Sequence, residues 1–109
     1  EVHRAVLEFV RRSTTIVKPD PVVRMKRLID EEFSVDKPLS IVAEQVGQHE
    51  DTLRKGFRAR YGLSPARYRL LLRLNHAART IWSKPSMEVA EIALDAGFDD
   101  ESYFYRAFR

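Results

Sequence analysis

Ala43-Glu44-Gln45-Val46-Gly47-Gln48-His49-Glu50-Asp51-Thr52-Leu53-Arg54-Lys55-Gly56-Phe57 and, further on, Ala93-Leu94-Asp95-Ala96-Gly97-Phe98-Asp99-Asp100-Glu101-Ser102-Tyr103-Phe104-Tyr105-Arg106-Ala107-Phe108 follow one pattern. Each copy places glycine four residues after a small alanine, then an apolar residue and a phenylalanine one helical turn apart. Ala43 and Gly47 recur fifty positions later as Ala93 and Gly97, whereas Leu53 and Phe57 recur fifty-one later as Phe104 and Phe108. One additional turn residue accounts for the slip. A helix, a tight turn at glycine and a second helix crossing the first is the helix-turn-helix arrangement, in which the second helix enters the major groove of DNA. Ala43 and Ala93 are small where the crossing helix approaches, Gly47 tolerates the left-handed cap and Gly97 turns the chain. Leu53, Phe57, Phe104 and Phe108 are assigned to the core beneath.

Outward from the repeats, turn residues and apolar spacing divide the rest of the chain. Val2, Val6, Phe9 and Val10 predict an amphipathic helix over about 2–12. Lys18-Pro19-Asp20-Pro21 breaks the chain, with Asp20 as cap and Pro21 as first helical residue, and Val22, Met25, Leu28, Ile29 and Phe33 give the next helix its apolar stripe. The helices of the first repeat are predicted at about 38–46 and 50–61. Gly62-Leu63-Ser64-Pro65 starts a long helix reaching about Ser83, whose Tyr68, Leu71, Leu72, Leu74, Ala78, Ile81 and Trp82 form two apolar edges, as in a connector contacted from two sides. Trp82 is read as core. Its roughly 19 residues reach about 28 Å, comparable with the roughly 34 Å between major-groove faces one turn apart. Ser86 is assigned as the cap of a helix over about 87–96, and Asp99 or Asp100 as the cap of the last one. The domain division that follows is 1–18 as helix and linker and 19–109 as a DNA-binding unit, with its two motifs at about 38–61 and 87–109 and the connector at about 64–83.

At 109 residues, 44% hydrophobic and 32% charged, the chain is one domain's length and can bury a core. It has no cysteine, which excludes disulfide frameworks, thiolate nucleophiles and cysteine-based zinc sites. With no apolar run near the roughly 20 residues of a membrane span, it is read as soluble and intracellular, with no membrane partner. The net charge of +3 is unevenly distributed. Between Thr52 and Trp82 there is no acidic residue but eight cations, Arg54, Lys55, Arg58, Arg60, Arg67, Arg69, Arg73 and Arg79; Glu88, Glu91, Asp95, Asp99, Asp100 and Glu101 follow. A positive zone suits a polyanion, because neutralising phosphates releases condensed counterions. It also suits a solvated helix face, and the duplicated motif favours DNA.

The second repeat, from Val89 to Phe108, resembles the signature segment of the AraC/XylS family of bacterial transcription factors, and the likeness extends upstream through Leu53, Phe57, Gly62, Ser64-Pro65, Tyr68, Arg73-Leu74 and Ala77. It covers roughly residues 22 to 109. The resemblance implies an all-α fold of seven helices: two homeodomain-like helix-turn-helix subdomains joined by a long linker helix, each inserting one recognition helix into adjacent major-groove segments of a promoter or operator. Base-edge candidates carried over by position are Asp51, Arg54 and Lys55 in the first reader and Glu101, Tyr103, Tyr105 and Arg106 in the second, since arginine or lysine pairs with guanine and a carboxylate accepts from cytosine. Tyr103 and Tyr105 could instead cover a core edge. Thr52, Arg58, Arg60, Arg67, Ser102 and Arg109 are assigned to phosphates, which position without specifying.

Three departures accompany the likeness. His49 stands where a serine or threonine usually caps the first recognition helix, and Glu50 and Asp51 follow, suiting a helix N-terminus but repelling phosphate. The family's Phe-Gly and Pro-containing tail is not in this sequence, so the unit is expected to stop in or after its last helix. Family members commonly carry an effector-binding or dimerisation domain before this unit, and the segment over 2–12 is read as a linker from such a domain in preference to a dimer contact. The implied setting is the bacterial cytoplasm, at the nucleoid, with double-stranded DNA as partner and RNA polymerase as a further one.

Other functions find less in the sequence. A helical module binding an acidic protein would use the same arginines, and salt-steep, sequence-dependent affinity for duplex DNA separates the two. An enzyme is not expected: His3, His49 and His76 have no paired spacing, the four glycines are isolated, and Asp99-Asp100 is explained by capping. No metal and no cofactor is expected.

Overall fold

The computed structural model describes residues 19–108. Six helices and no strand occur among them: α1 (Pro21–Glu32), α2 (Leu39–Val46), α3 (Glu50–Tyr61), α4 (Pro65–Ser83), α5 (Val89–Asp95) and α6 (Glu101–Phe108). The helix expected over 2–12, and Arg109, lie outside the described residues.

Local chemistry sets most boundaries. Asp20 accepts the Val22 amide at 2.8 Å and Ser64 Oγ the Arg67 amide at 3.2 Å, each satisfying an amide without an intrahelical partner, and proline occupies the first turn of both helices. Gly47 closes α2 in the left-handed region at φ 83°, its amide on the carbonyls of Ala43 and Glu44. Ser86 does not cap α5. The Met87 amide is used on the Lys84 carbonyl at 3.0 Å, closing a turn through Ser86, so the helix begins only after Glu88.

The helices build two cores against one connector. Met25 and Ile29 of α1 meet Val42, Ala43 and Val46 of α2 and Leu53 and Phe57 of α3, with Tyr68 and Leu72 of α4 packed on them. Ile92, Ala93 and Ala96 meet Phe98, Phe104 and Ala77, with Leu70 and Leu74 alongside. One helix thus serves both cores with different edges, as its sequence predicts. The apolar pattern overstates how far those edges are covered, because Trp82 is 88% exposed and Leu71 and Ile81 also stand open. Phe108 is likewise not a core residue: its ring lies 5.3 Å from that of Phe104, but 43% of its surface remains open.

Arg69 and Arg73 depart most from the sequence reading. Arg69 donates to the Lys37 carbonyl at 2.6 Å, and Arg73 donates from Nε to the Phe33 carbonyl at 2.6 Å and from Nη2 to the Val35 carbonyl at 3.2 Å. They fasten the α1–α2 loop to α4, so two of the eight cations in the basic zone do not join an open face. Burial above all, then the neighbouring Arg73, lowers the Arg69 guanidinium from its ordinary value; burial likewise lowers Arg73, while Asp36 and Asp99 pull both upward.

Candidate nucleic-acid interface

The turn of each repeat is built from the same hydrogen bonds. Gln48 N donates to Ala43 O at 3.2 Å and Phe98 N to Ala93 O at 2.9 Å; Leu53 N donates to His49 O and Phe104 N to Asp100 O, both at 3.1 Å. The caps correspond as well, His49 Nδ1 accepting the Asp51 amide at 3.2 Å and Asp100 Oδ1 the Ser102 amide at 2.8 Å. The one-residue slip therefore falls between Phe98 and Asp100. Both second helices start on a side-chain acceptor and are anchored on their inner side by buried residues, Leu53 and Phe57 in α3 and Phe104 in α6.

Those anchors fix which residues face outward. Asp51, Thr52, Arg54, Lys55, Arg58 and Arg60 are all exposed on α3, and Arg67 is exposed in the first turn of α4. Glu101, Ser102, Tyr103, Tyr105 and Arg106 are exposed on α6. The predicted candidates within the described residues are thus on open surface, grouped on α3 and α6 with Arg67 at the start of α4. Arg54 Nη2 lies 2.6 Å from Asp51 Oδ1, an exposed pair one helical turn apart. Such a pair contributes about 0–1 kcal/mol, so either partner can be exchanged for a nucleotide group at small cost. Arg60 is 3.8 Å from Asp20, whereas Lys55 and Arg58 have no ion-pair partner among the described residues. On α6 the Arg106 guanidinium sits 5.8 Å from the centre of the Tyr103 ring, which itself lies 5.8 Å from that of Phe98. Tyr103 therefore reaches both the core edge and the surface, the two placements its position allowed.

Two groups escaped the sequence reading. Phe98 is buried where the first repeat has exposed Gln48, and aligning the repeats on Gly47 and Gly97 exposes that difference. Tyr68 donates to Asp30, while Lys26 pairs with Asp30 at 3.0 Å and lies 5.8 Å and 5.4 Å from the rings of Tyr61 and Tyr68. This cluster ties α1 to α3 and α4 across their exposed seam; nothing in spacing alone marks it. Among the described residues no group of three acidic or histidine side chains could hold a metal ion, and no helix is long and apolar enough to cross a membrane.

Residues 42–109 match the Helix-turn-helix domain family of the AraC/XylS type. The chain belongs to this family. AraC/XylS-type domains are those of DNA-binding transcription regulators, which is not an enzyme class. Relatives include the virulence regulon transcriptional activator VirF of Yersinia enterocolitica, 28% identical over 82% of this chain and 32% of that protein. The HTH-type transcriptional activator RhaR of Salmonella schwarzengrund is 32% identical over 69% of this chain and 27% of that protein. The chain thus spans about a third of the length of the curated relatives it matches. Among solved structures, the C-terminal domain of the two-component response regulator yesN from Fusobacterium nucleatum aligns with a TM-score of 0.69 at 25% identity, over 77% of this chain and 87% of that one. A DNA-binding transcriptional dual regulator from Escherichia coli K-12 aligns at 0.67 and 21% identity, over 84% and 86%, a likeness of fold.

Proposed function

We propose that the chain binds promoter or operator DNA through two recognition helices, α3 and α6, which read adjacent major-groove segments, and that it does so as the DNA-binding part of a transcription activator. The observation that carries this reading is the helix pair built twice, down to the same turn and cap hydrogen bonds, each time ending in a helix whose outer side holds exposed polar and cationic residues. The unit comprises residues 19–109, with motifs at about 38–61 and 87–109 on either side of α4. Arg54, Lys55 and Arg106 offer donors to guanine, Asp51 and Glu101 acceptors for cytosine, and Tyr103 and Tyr105 mixed apolar and hydroxyl contacts. Thr52, Arg58, Arg60, Arg67, Ser102 and Arg109 fall to the phosphates. Contact with RNA polymerase is part of the proposal because two relatives are named transcriptional activators, and dimerisation, if any, is assigned to a domain preceding this unit.

Selection from a random duplex pool at roughly physiological salt tests the reading. Enrichment of a bipartite site with two boxes about one helical turn apart supports it. A single short box would reduce the interface to one reader, and salt-sensitive binding without sequence preference would leave the cations serving some other partner.

A further inference from the structure

We infer that Arg73 is a positioning residue that fixes the placement of α6 relative to α3, and thereby sets the number of base pairs the protein accepts between its two boxes. The inference builds on the two-reader reading and adds what couples the readers. Two helix pairs strung on one connector need not hold a fixed relation, because α4 meets each core with a different edge. A second attachment between the pairs exists where the α1–α2 loop meets the turn of the second repeat. A Cβ on Gly97 would lie 2.8 Å from Ser34 Cα, 3.0 Å from Ser34 O and 2.9 Å from Arg73 Nε, so the glycine turn presses directly against the loop and the guanidinium. The same guanidinium holds the carbonyls of Phe33 and Val35 on either side of Ser34. Arg73 therefore shapes the surface on which the second helix pair seats. A planar, multiply donating group is needed for two separated carbonyls, which a lysine ammonium does not reproduce.

Asp36 on the loop and Asp99 beside the glycine turn both favour the charged form of Arg73, so the loop and the second repeat each contribute charge to the contact. A parallel route runs through His76, whose ring lies 5.6 Å from that of Phe33 and whose Nε2 is 2.8 Å from Asp95 on α5. That route joins Phe33, at the end of α1, to α5 through a side chain of α4. The Arg73 contact is the one that touches the turn leading into α6.

Spacing is a stringent readout, because each added base pair displaces one box by about 3.4 Å and rotates it by roughly a tenth of a turn. Duplexes carrying the enriched site with its boxes moved by −1, 0, +1 and +2 base pairs would be bound by the wild-type chain and by Arg73→Met and Arg73→Lys. Wild type should lose at least about tenfold in affinity at a one-base-pair shift, a loss typical of one mismatch, and Arg73→Met should lose less than about threefold relative to its own best site. Arg73→Lys should fall between them. Loss of a phosphate contact or of stability would lower every spacing alike and leave the profile's shape unchanged.

The cysteine-free sequence permits a second measurement without DNA: spin labels on cysteines introduced at exposed Glu44 and Ala90 report the distance between the helix pairs. The distribution should be narrow in the otherwise wild-type chain and broad with Arg73→Met; if that variant does not fold, Arg73→Lys carries both comparisons. A variant profile as sharp as wild type, with an equally narrow label distance, would overturn the assignment. Wild-type affinity indifferent to spacing despite a narrow label distance would overturn the two-reader reading itself.

Discussion

The two helix pairs share a backbone plan and differ in what lies behind it. The first is backed by α1, which supplies Met25 and Ile29, so its Phe57 and Leu53 are closed over on all sides. Among the described residues the second has no such helix and fills the gap from its own turn, with Phe98 where the first has Gln48. Its last helix remains thinly covered, and Phe108, Tyr103 and Tyr105 stay open. The glycine-centred motif thus fixes how two helices cross but not how firmly the pair is held. Firmness comes from a third element, α1 in one case and in the other α4 with the Ser34 loop.

The largest effect expected from this difference is at the paired anchors. Phe57→Ala should cost about 3–5 kcal/mol and unfold the first pair, and with it the support of α4. Phe104→Ala should cost about as much locally yet melt mainly α5 and α6. Hydrogen exchange on both variants separates the cases; equal loss of protection across α1 and α2 in Phe104→Ala would break the distinction. Phe108→Ala, at a position predicted as core but open in the structure, should cost less than Phe104→Ala, and an equal shift in melting temperature would restore it to the core.

The glycines sharpen the comparison at a smaller scale. Both Gly47 and Gly97 have positive φ, 83° and 101°, so alanine is strained at either, by about 1–2 kcal/mol. An added Cβ meets nothing within 4 Å at Gly47 but strikes Ser34 and Arg73 at Gly97. Gly97→Ala should therefore lower the melting temperature more than Gly47→Ala. Equal shifts would mean that the loop yields and that the contact between the pairs is soft.

Much of this plan is legible in the residues, and the failures have a common cause. Pro21, Gly47, Ser64-Pro65 and Asp100 act on their own neighbours, so their caps and turns follow from local chemistry. Ser86 aside, where the neighbouring Lys84 carbonyl takes the Met87 amide, the misread residues Trp82, Phe108, Arg69 and Arg73 depend on what another part of the chain does. An apolar edge does not state how far a partner extends along it, which leaves Trp82 and Phe108 misplaced. A run of arginines does not distinguish a guanidinium bound to loop carbonyls from one in solvent. Those on α3 reach the surface because Leu53 and Phe57 fix that helix's rotation, whereas Arg69 and Arg73 lie on the side of α4 that meets the α1–α2 loop.

The smallest thermodynamic effects concern the candidate interface. Arg67→Ala should weaken binding to all duplexes by a similar factor and reduce the salt slope by about one, leaving the melting temperature nearly unchanged. A change in base preference would move Arg67 from phosphate to base.

The claim that α3 and α6 read separate segments is tested most directly by measuring Lys55→Ala and Arg106→Ala, at equivalent places on the two helices, against every single base-pair change in the enriched site. Each variant should lose about 1–3 kcal/mol on the preferred site and relax base choice in its own box, the two boxes lying about one helical turn apart. Relaxation in the same box, or an equal loss on every sequence for both variants, would contradict it.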